Sequence, residues 1–269
     1  MIKKILFSIL IISVFGVGCT KTDPLSNYAP RAVVEGYLAA GDTIDILIKK
    51  EIPFGQDSTT TAEPINNLVV TLESDGKIIT LSSIDSGHYV SKERIVAEKS
   101  YKLKFDYNGK TITATTTIPT KPKDYKISVT EVIITPFTPG GGVRPTFPDP
   151  VQLTWTNNDN TFYLTAFKNL ETSPESIFGG TINFGGRNRP PTFNRPTQLT
   201  GAEIEPLRLQ YYGTFDILLM HVQPEYAALY EESGNSSLNL TPPPTNIDNG
   251  LGIFTGFASD TLKLLVRKP

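Results

Sequence analysis

The sequence predicts a mostly β protein, and three observations support this fold class. Gly and Pro number 21 each and are spread along the 269 residues, as expected for a chain with many turns. Thr, Ile, Val, Tyr and Phe are frequent, and these residues favour strands. Segments that alternate polar and apolar residues recur, whereas patterns of helical period are few. The chain length suits one large or two medium domains.

The amino-terminal segment MIKKILFSILIISVFGVGC has the layout of a secretory signal peptide. Lys3 and Lys4 precede an almost unbroken apolar run at 5–17, which is too short for a spanning helix. Small residues then lead to Cys19, the only cysteine. This layout resembles the lipobox of a bacterial lipoprotein, so we expect residues 1–18 to be a signal peptide and residues 19–30 a lipidated tether.

Cys19 predicts a lipid anchor, because the chain offers no second thiol for a disulfide. In bacterial lipoproteins the thiol receives diacylglycerol, and the new amino terminus is acylated, for example with palmitate. The expected partner of Cys19 is therefore the lipid bilayer. Gly16 stands where lipoboxes usually carry Leu, and two other interpretations stay open. Cys19 is then a stray cysteine beside an ordinary cleavage site, or the segment is an uncleaved anchor.

Residues 31–118 contain about seven predicted strands, the number typical of an immunoglobulin-like sandwich. Asp75-Gly76 and Asn108-Gly109 mark two hairpins, because such pairs supply the positive φ of a type I′ turn. We expect an immunoglobulin-like or carboxypeptidase-regulatory-like β-sandwich here. Its strands are expected at 32–38, 43–49, 67–73, 78–81, 87–90, 100–107 and 110–118.

Residues 119–269 predict a second β-rich domain with one short helix. The strands at 151–155 and 161–167 are expected to pair across the turn between them. The helix is expected at 224–232, because Pro224 suits a first turn and Glu225 favours the positive end of the helix dipole. The strands of this domain are expected at 125–135, 151–155, 161–167, 253–258 and 261–266, with one or two further strands at 209–222.

The segment 179–201 is rich in Gly, Pro, Asn and Arg and predicts a long loop or an insertion. Arginines alternate there with phenylalanines, a composition favoured in protein interfaces. The candidate interface residues are Arg187, Arg189, Phe193 and Arg195. The arginines could instead hold an anionic ligand, and an insertion without a binding role is the other interpretation.

Signals for an enzyme, a metal or a cofactor are weak. His88 and His221 lie in no zinc motif, and both are expected to be solvated or capping residues. The Asn and Gly run at 246–250 predicts a turn, because Ile247 stands where a calcium loop needs an oxygen ligand. We expect no catalytic residues, no metal and no cofactor. The carboxylates considered for glycoside hydrolysis, with nothing to pair them, are Glu203, Glu205, Asp216, Glu231 and Glu232.

The formal net charge of −2 argues against a nucleic-acid partner. A mildly acidic chain also gains nothing from electrostatic adsorption to a membrane, so attachment would depend on the lipid.

Several sequence segments together resemble one family. They are the lipobox, VVEGYL at 33–38, NLVVTL at 67–72, GHYV at 87–90, SYKL at 100–103, NGKTITA at 108–114 and PEY at 224–226. The most distinctive segment is NIDNGLGIF at 246–254. Across the whole mature chain this pattern resembles the DUF4249 family of Bacteroidetes lipoproteins.

The resemblance implies an accessory lipoprotein anchored in the outer membrane, on its periplasmic or cell-surface face. Its expected partner is a TonB-dependent transporter in nutrient uptake, and no shared catalytic residues are implied. The alternative is a glycan- or nutrient-binding surface lipoprotein. In that alternative, exposed aromatics such as Tyr211, Tyr212 or Phe193 would stack on sugar faces.

Overall fold

The structure is a computed structural model that describes residues 29–53, 59–136, 147–178, 192–231 and 244–269. Several predicted features lie wholly or partly outside these residues. They are the signal peptide with Cys19, most of the lipidated tether, the first part of the loop predicted at 179–201 with Arg187 and Arg189, and Glu232, the last residue of the predicted helix.

The described residues form sixteen strands and one short α-helix, which confirms the mostly β fold class. The helix α1 (Pro224–Ala227) continues into a 3₁₀ turn at Ala228–Tyr230. The strands of the first half are β1 (Ala32–Ala39), β2 (Thr43–Lys50), β3 (Thr71–Ser74), β4 (Lys77–Thr80), β5 (Ser82–Ser83), β6 (His88–Arg94), β7 (Ser100–Tyr107) and β8 (Lys110–Thr117). Those of the second half are β9 (Lys123–Ile127), β10 (Glu131–Ile133), β11 (Val151–Thr156), β12 (Phe162–Asn169), β13 (Thr192–Phe193), β14 (Gly201–Ile204), β15 (Gly213–Val222) and β16 (Leu251–Arg267).

These strands form three sheets. The largest has nine strands in the order β13-β12-β15-β16-β1-β2-β6-β5, with β10 beside β16. A four-stranded sheet has the order β4-β3-β7-β8, and a three-stranded sheet has the order β14-β11-β9.

The strand β16 belongs to both halves of the molecule. It pairs in parallel with β1 from Val33↔Leu251 to Ala39↔Phe257. Its remaining length pairs antiparallel with β15, from Val222↔Phe257 to Gly213↔Val266. One sheet therefore holds strands from both predicted domains, and residues 31–269 form one compact unit. The domain boundary at 118–119 stays a prediction.

Two hydrophobic cores lie on the same face of the nine-stranded sheet. The four-stranded sheet covers the first core, and the three-stranded sheet covers the second. The nine-stranded sheet contributes Val34, Leu38, Ile44, Ile46, Ile48, Tyr89 and Phe254 to the first core and Tyr163, Phe167, Phe215, Ile217, Leu219, Leu264 and Val266 to the second. The molecule is thus two sandwiches side by side that share one sheet.

The two cores are divided at Gly256, where the end of β8 crosses β16. The Gly256 N–H donates a hydrogen bond of 2.9 Å to the Thr116 Oγ1 atom. A Cβ atom at Gly256 would lie 2.7 Å from the Thr117 carbonyl oxygen and 2.8 Å from the Ile118 Cδ1 atom. The absence of a side chain therefore lets the crossing strand approach this closely.

Side chains bond to β16 where β15 no longer pairs with it. The Asn246 Nδ2 group donates to the Phe254 carbonyl oxygen at 2.7 Å, and the Phe254 N–H donates to Asn246 Oδ1 at 3.0 Å. The Asn246 amide thus acts as a neighbouring strand would. Asn249 has a φ of 60°, which confirms the predicted Asn and Gly turn.

The strands predicted for the second half differ from the structure in three respects, of which one is a wrong pairing. The single strand expected at 125–135 is two strands, β9 and β10, which lie in different sheets. The strands β11 and β12 do not pair with each other, since β11 lies between β9 and β14, and β12 lies between β13 and β15. The two strands expected at 253–258 and 261–266 are one continuous strand, β16.

Side-chain hydrogen bonds explain why the turn after β11 carries the chain from the three-stranded sheet to the nine-stranded sheet. The Asn157 Oδ1 atom accepts bonds from the Thr161 N–H and hydroxyl, and the Asn157 Nδ2 group donates to the Gln198 carbonyl oxygen at 2.8 Å. These bonds hold the corner between the two layers, so alternation on both sides of it does not imply a hairpin.

Candidate functional site

Two of the four predicted interface residues lie within the described chain. Phe193 ends the edge strand β13, where it pairs with Ala166, and its side chain is 47% exposed. Arg195 follows two residues later, and neighbouring bonds fix this segment to the body. The Asn194 Nδ2 group donates to Thr165 Oγ1 at 2.6 Å, and the Arg208 Nη1 group donates to Asn194 Oδ1 at 2.6 Å. The interface itself stays a prediction.

Phe193 shares a sheet face with an aromatic residue that the sequence analysis did not select. We call the side of the nine-stranded sheet opposite both cores the outer face. Ala166 lies on it, because its neighbour Phe167 belongs to the second core, and Phe193 pairs with Ala166. Tyr37 also lies on the outer face, because Leu38 is in the first core, and its side chain is 46% exposed.

Tyr37, Tyr226 and Tyr230 form a tyrosine cluster on this face. The Tyr37 and Tyr226 rings meet edge to face, with centroids 6.4 Å apart and an angle of 80°. The Tyr226 and Tyr230 rings are 5.6 Å apart, and their hydroxyl oxygens are 3.2 Å apart. Tyr226 and Tyr230 come from the helical segment that packs against β16, so the cluster joins residues far apart in the sequence.

The Tyr37 and Tyr226 hydroxyls keep their protons at neutral pH. Burial raises the pKa of Tyr37 above its ordinary value, and the negative charge of Glu35 adds to this. Burial likewise raises the pKa of Tyr226, together with its hydrogen bond to Tyr230. Both hydroxyls can therefore donate as well as accept a hydrogen bond.

A charged pair lies beside the tyrosine cluster. Glu35 is two residues before Tyr37 on β1, so both side chains project from the same face of the strand. The Glu35 Oε1 atom is 3.7 Å from the Lys49 Nζ atom, and both side chains are substantially exposed. Such a loose, solvated pair adds little stability, but it leaves a carboxylate and an ammonium group side by side with balanced charge.

A second candidate is a small polar cleft of about 70 Å³ beside His221. The His221 ring stacks on the Tyr163 ring, with centroids 4.7 Å apart, and its Nδ1–H donates to the Thr120 carbonyl oxygen at 2.9 Å. Burial lowers the pKa of His221, although the bond to Thr120 and the charge of Asp159 act in the opposite direction. His221 is therefore neutral at pH 7, with its Nε2 lone pair available as an acceptor.

Of the two roles expected for His221, the solvated one is wrong, because only 9% of the residue is exposed, and its ring instead bonds to the backbone carbonyl oxygen of Thr120. The sequence predicts that His221 lies at the end of an apolar strand. It does not show that the segment containing Thr120 lies next to the His221 ring. His88 is more exposed, and its Nδ1 atom lies 2.9 Å from the Asp45 Oδ1 atom.

Three other residues considered in the sequence analysis, Tyr212, Tyr211 and Asp248, pack against or bond to the body of the protein. Tyr212 is 7% exposed and donates its hydroxyl proton to the Ile134 carbonyl oxygen at 2.8 Å, so the expected sugar-stacking role of Tyr212 is wrong. Tyr211 is partly buried against the second core. Asp248 accepts a bond of 2.9 Å from the Thr113 hydroxyl.

The carboxylates considered for glycoside hydrolysis are spread over several elements. Glu203 lies on β14, Asp216 lies on β15 and pairs with Lys263, and Glu231 follows the helical segment. Within the described part of the chain, no three His, Cys, Asp or Glu side chains come together as metal ligands would.

Within the same described ranges, no helix is both long and apolar enough to cross a membrane.

The chain matches one family model, described as a domain of unknown function (DUF4249), over residues 21–263. That match covers both sandwiches as far as Lys263 of β16, including the Asn246 segment that bonds to β16. No curated protein matches the chain.

Proposed function

The chain belongs to the DUF4249 family, and from this premise we propose that it is a non-enzymatic accessory lipoprotein of a Bacteroidetes outer membrane. In this proposal Cys19 carries the lipid, and the two-sandwich body docks on a TonB-dependent transporter that takes up a nutrient. The tether of residues 19–30, fully extended, could reach about 40 Å from the bilayer, so the body could contact parts of a transporter outside the lipid.

The observation that carries the docking proposal is the position of Phe193. A large aromatic ring lies nearly half exposed on an edge strand, and the bonds of Asn194 to Thr165 and Arg208 hold that strand in place. Aromatic and Arg residues supply most of the binding energy in protein interfaces, and Arg187, Arg189 and Arg195 are all within six sequence positions of Phe193. A rigid aromatic residue of this kind costs little conformational entropy when a partner covers it.

The test is a pull-down of the tagged protein from membranes in a mild detergent. We expect the wild-type protein to recover a TonB-dependent transporter and Phe193→Ser to recover at least tenfold less, since loss of a central aromatic contact costs roughly 2 kcal/mol or more. Ile78→Ser is the matched control, because Ile78 is also apolar, 67% exposed and on an edge strand, but belongs to the four-stranded sheet. Recovery of wild-type protein without any transporter would contradict the proposal.

The anchor is tested separately with Cys19→Ser. We expect the wild-type protein to incorporate a labelled palmitate analogue and to sediment with outer membranes. The Cys19→Ser variant should do neither. Equal labelling of the two proteins would show that the lipid is not attached at Cys19.

A further inference from the structure

We propose that the tyrosine cluster and the Glu35–Lys49 pair form a binding site for a neutral saccharide. In this site the Tyr37 ring stacks on the apolar face of one sugar ring, and the charged pair bonds to its hydroxyls. This inference does not depend on the proposed docking function, because the site can be occupied without a transporter or a membrane.

Tyr37 lies on a strand that has a hydrogen-bonded neighbour on each side. The strand β1 is hydrogen-bonded to β16 on one side and to β2 on the other. A Cβ atom at the preceding Gly36 would lie 2.6 Å from the Phe254 ring, so these two strands pack as closely as a glycine allows. An exposed aromatic ring at the centre of a sheet is thus held in place before any ligand arrives, which lowers the entropy lost on binding.

The arrangement of the three rings decides what they can bind. A cage for a quaternary ammonium ion needs ring faces that surround a space for the cation. Here the rings contact one another, with centroids 6.4 Å and 5.6 Å apart, so they leave no such space between them. What they offer instead is a continuous surface of ring faces and edges with phenol hydroxyls, and this surface suits a ligand that is apolar on one face and hydroxylated at its rim.

The charges beside the rings favour a neutral ligand. The Glu35 carboxylate and the Lys49 ammonium group, 3.7 Å apart, cancel each other, so neither an anion nor a cation gains a net attraction. Neighbouring sugar hydroxyls both donate and accept, so one can donate to the Glu35 carboxylate while the next accepts from Lys49. The protonated Tyr37 hydroxyl adds a further donor.

The size of the surface favours a small ligand over a protein. Three partly exposed tyrosines and the neighbouring Leu229 cover far less than the roughly 800 Å² that each partner buries in a stable protein interface. They match the area of one or two sugar rings.

The experiment uses the full-length protein in a detergent without sugar groups, since maltoside or glucoside detergents would compete for the site. The probes are linear pentasaccharides of β-1,4-glucose, α-1,4-glucose and β-1,4-N-acetylglucosamine. Binding is measured by calorimetry and by saturation transfer from protein to sugar protons. We expect at least one probe to bind with a Kd of about 1 mM or tighter, with saturation transfer strongest at the C–H protons of one ring face.

The variants separate stacking from other effects. Tyr37→Ala should weaken binding roughly tenfold, and Tyr37→Phe, which keeps the ring, should weaken it no more than about threefold. Glu35→Gln should weaken binding severalfold and also carries the test if Tyr37→Ala does not fold. Ile78→Ala is the control on the other sheet and should bind as the wild type does.

Two results would overturn the proposal. One is the absence of binding by all three probes at about 10 mM sugar. The other is equal binding by the wild type, Tyr37→Ala and Glu35→Gln. If Tyr37→Ala instead reduces transporter recovery while no probe binds, the cluster belongs to a protein interface and the saccharide proposal is wrong. Because no transporter is present in the binding assay, failure here leaves the docking proposal to its own test.

Discussion

The two sandwiches are built from strand pairs of different kinds. In the first, β1 with β2, β3 with β4, and β7 with β8 are antiparallel pairs of strands adjacent in sequence. In the second, β11 pairs with β9 and β14, and β12 pairs with β13 and β15, so each partner is separated from its neighbour by a long connection. Three strand pairs of the first sandwich are thus specified locally, although β1 also pairs with β16, β2 with β6 and β3 with β7. The second sandwich has no such short hairpin among these pairs and depends on strands that come together from distant parts of the chain.

This difference explains where sequence reasoning succeeds. Asp75 and Asn108 both have a φ of 49°, as the predicted type I′ turns require, so the two hairpins of the first sandwich follow from their turn residues. Alternation in the second half fixes which side chains face the core but not which strand lies alongside.

The shared strand β16 leads to a further expectation. Because it supplies Phe254 to the first core and Leu264 to the second, we expect the two sandwiches to unfold together.

Gly252→Ala should destabilise the protein most. Gly252 has a φ of 96°, and an added Cβ atom would lie 2.0 Å from the Val34 carbonyl oxygen, so β1 and β16 would have to separate. We expect a loss of more than about 4 kcal/mol in the free energy of unfolding, measured with urea. Gly41→Ala is the matched control, because its φ is 90° but nothing lies within 4 Å of the added atom. That control should lose only about 1–2 kcal/mol, the cost of the left-handed backbone, and equal losses would show that the β1–β16 approach is not limiting.

Phe254→Ala tests whether damage in the first core reaches the second. Phe254 is fully buried, and its truncation should cost about 3–5 kcal/mol. The single tryptophan, Trp155, lies in the second core and reports on that core by fluorescence. We expect the Trp155 transition in urea to shift together with the far-UV circular dichroism transition. A Trp155 midpoint that stays at the wild-type value would show that the sandwiches unfold separately.

Asn246→Ala should have a moderate effect, because it leaves the Phe254 N–H and carbonyl group without their side-chain partners. The expected loss is about 1–3 kcal/mol in the free energy of unfolding. Asn246→Asp keeps an acceptor for the Phe254 N–H but loses the donor, and it should fall between alanine and the wild type. A neutral Asn246→Ala variant would mean that water replaces both bonds.

The distinctive segment at 246–254 illustrates what sequence can and cannot supply. Its Asn and Gly residues correctly predict a turn, but the bonds from Asn246 to β16 and from Asp248 to β8 depend on strands brought close only by the fold. The tyrosine cluster is similar. Tyr226 and Tyr230 have helical spacing in the sequence, whereas the contact with Tyr37 joins residues nearly two hundred positions apart.

His221 should give the smallest effect, and it depends on pH. Burial lowers the pKa of His221 in the folded protein, so the unfolded chain binds more protons between the two pKa values. The stability from neutral His221 is therefore complete above the unfolded pKa of about 6.5 and is lost as the pH falls below it. His221→Asn keeps an N–H donor near the Thr120 carbonyl oxygen but does not titrate. We expect the wild-type Tm to fall about 2–4 °C more than that of the variant between about pH 7 and pH 5, and parallel curves would contradict this.

The comparison of the two sandwiches also provides the most direct test of the proposed docking. Phe193 marks the edge of the nine-stranded sheet beside the second core, and Ile78 lies on the edge of the four-stranded sheet over the first. A photo-crosslinking amino acid is placed at position 193 or at position 78 of the full-length protein in intact cells. The account predicts a crosslink to a TonB-dependent transporter from position 193 and none from position 78. No transporter crosslink at position 193, or equal crosslinking at both positions, would contradict it.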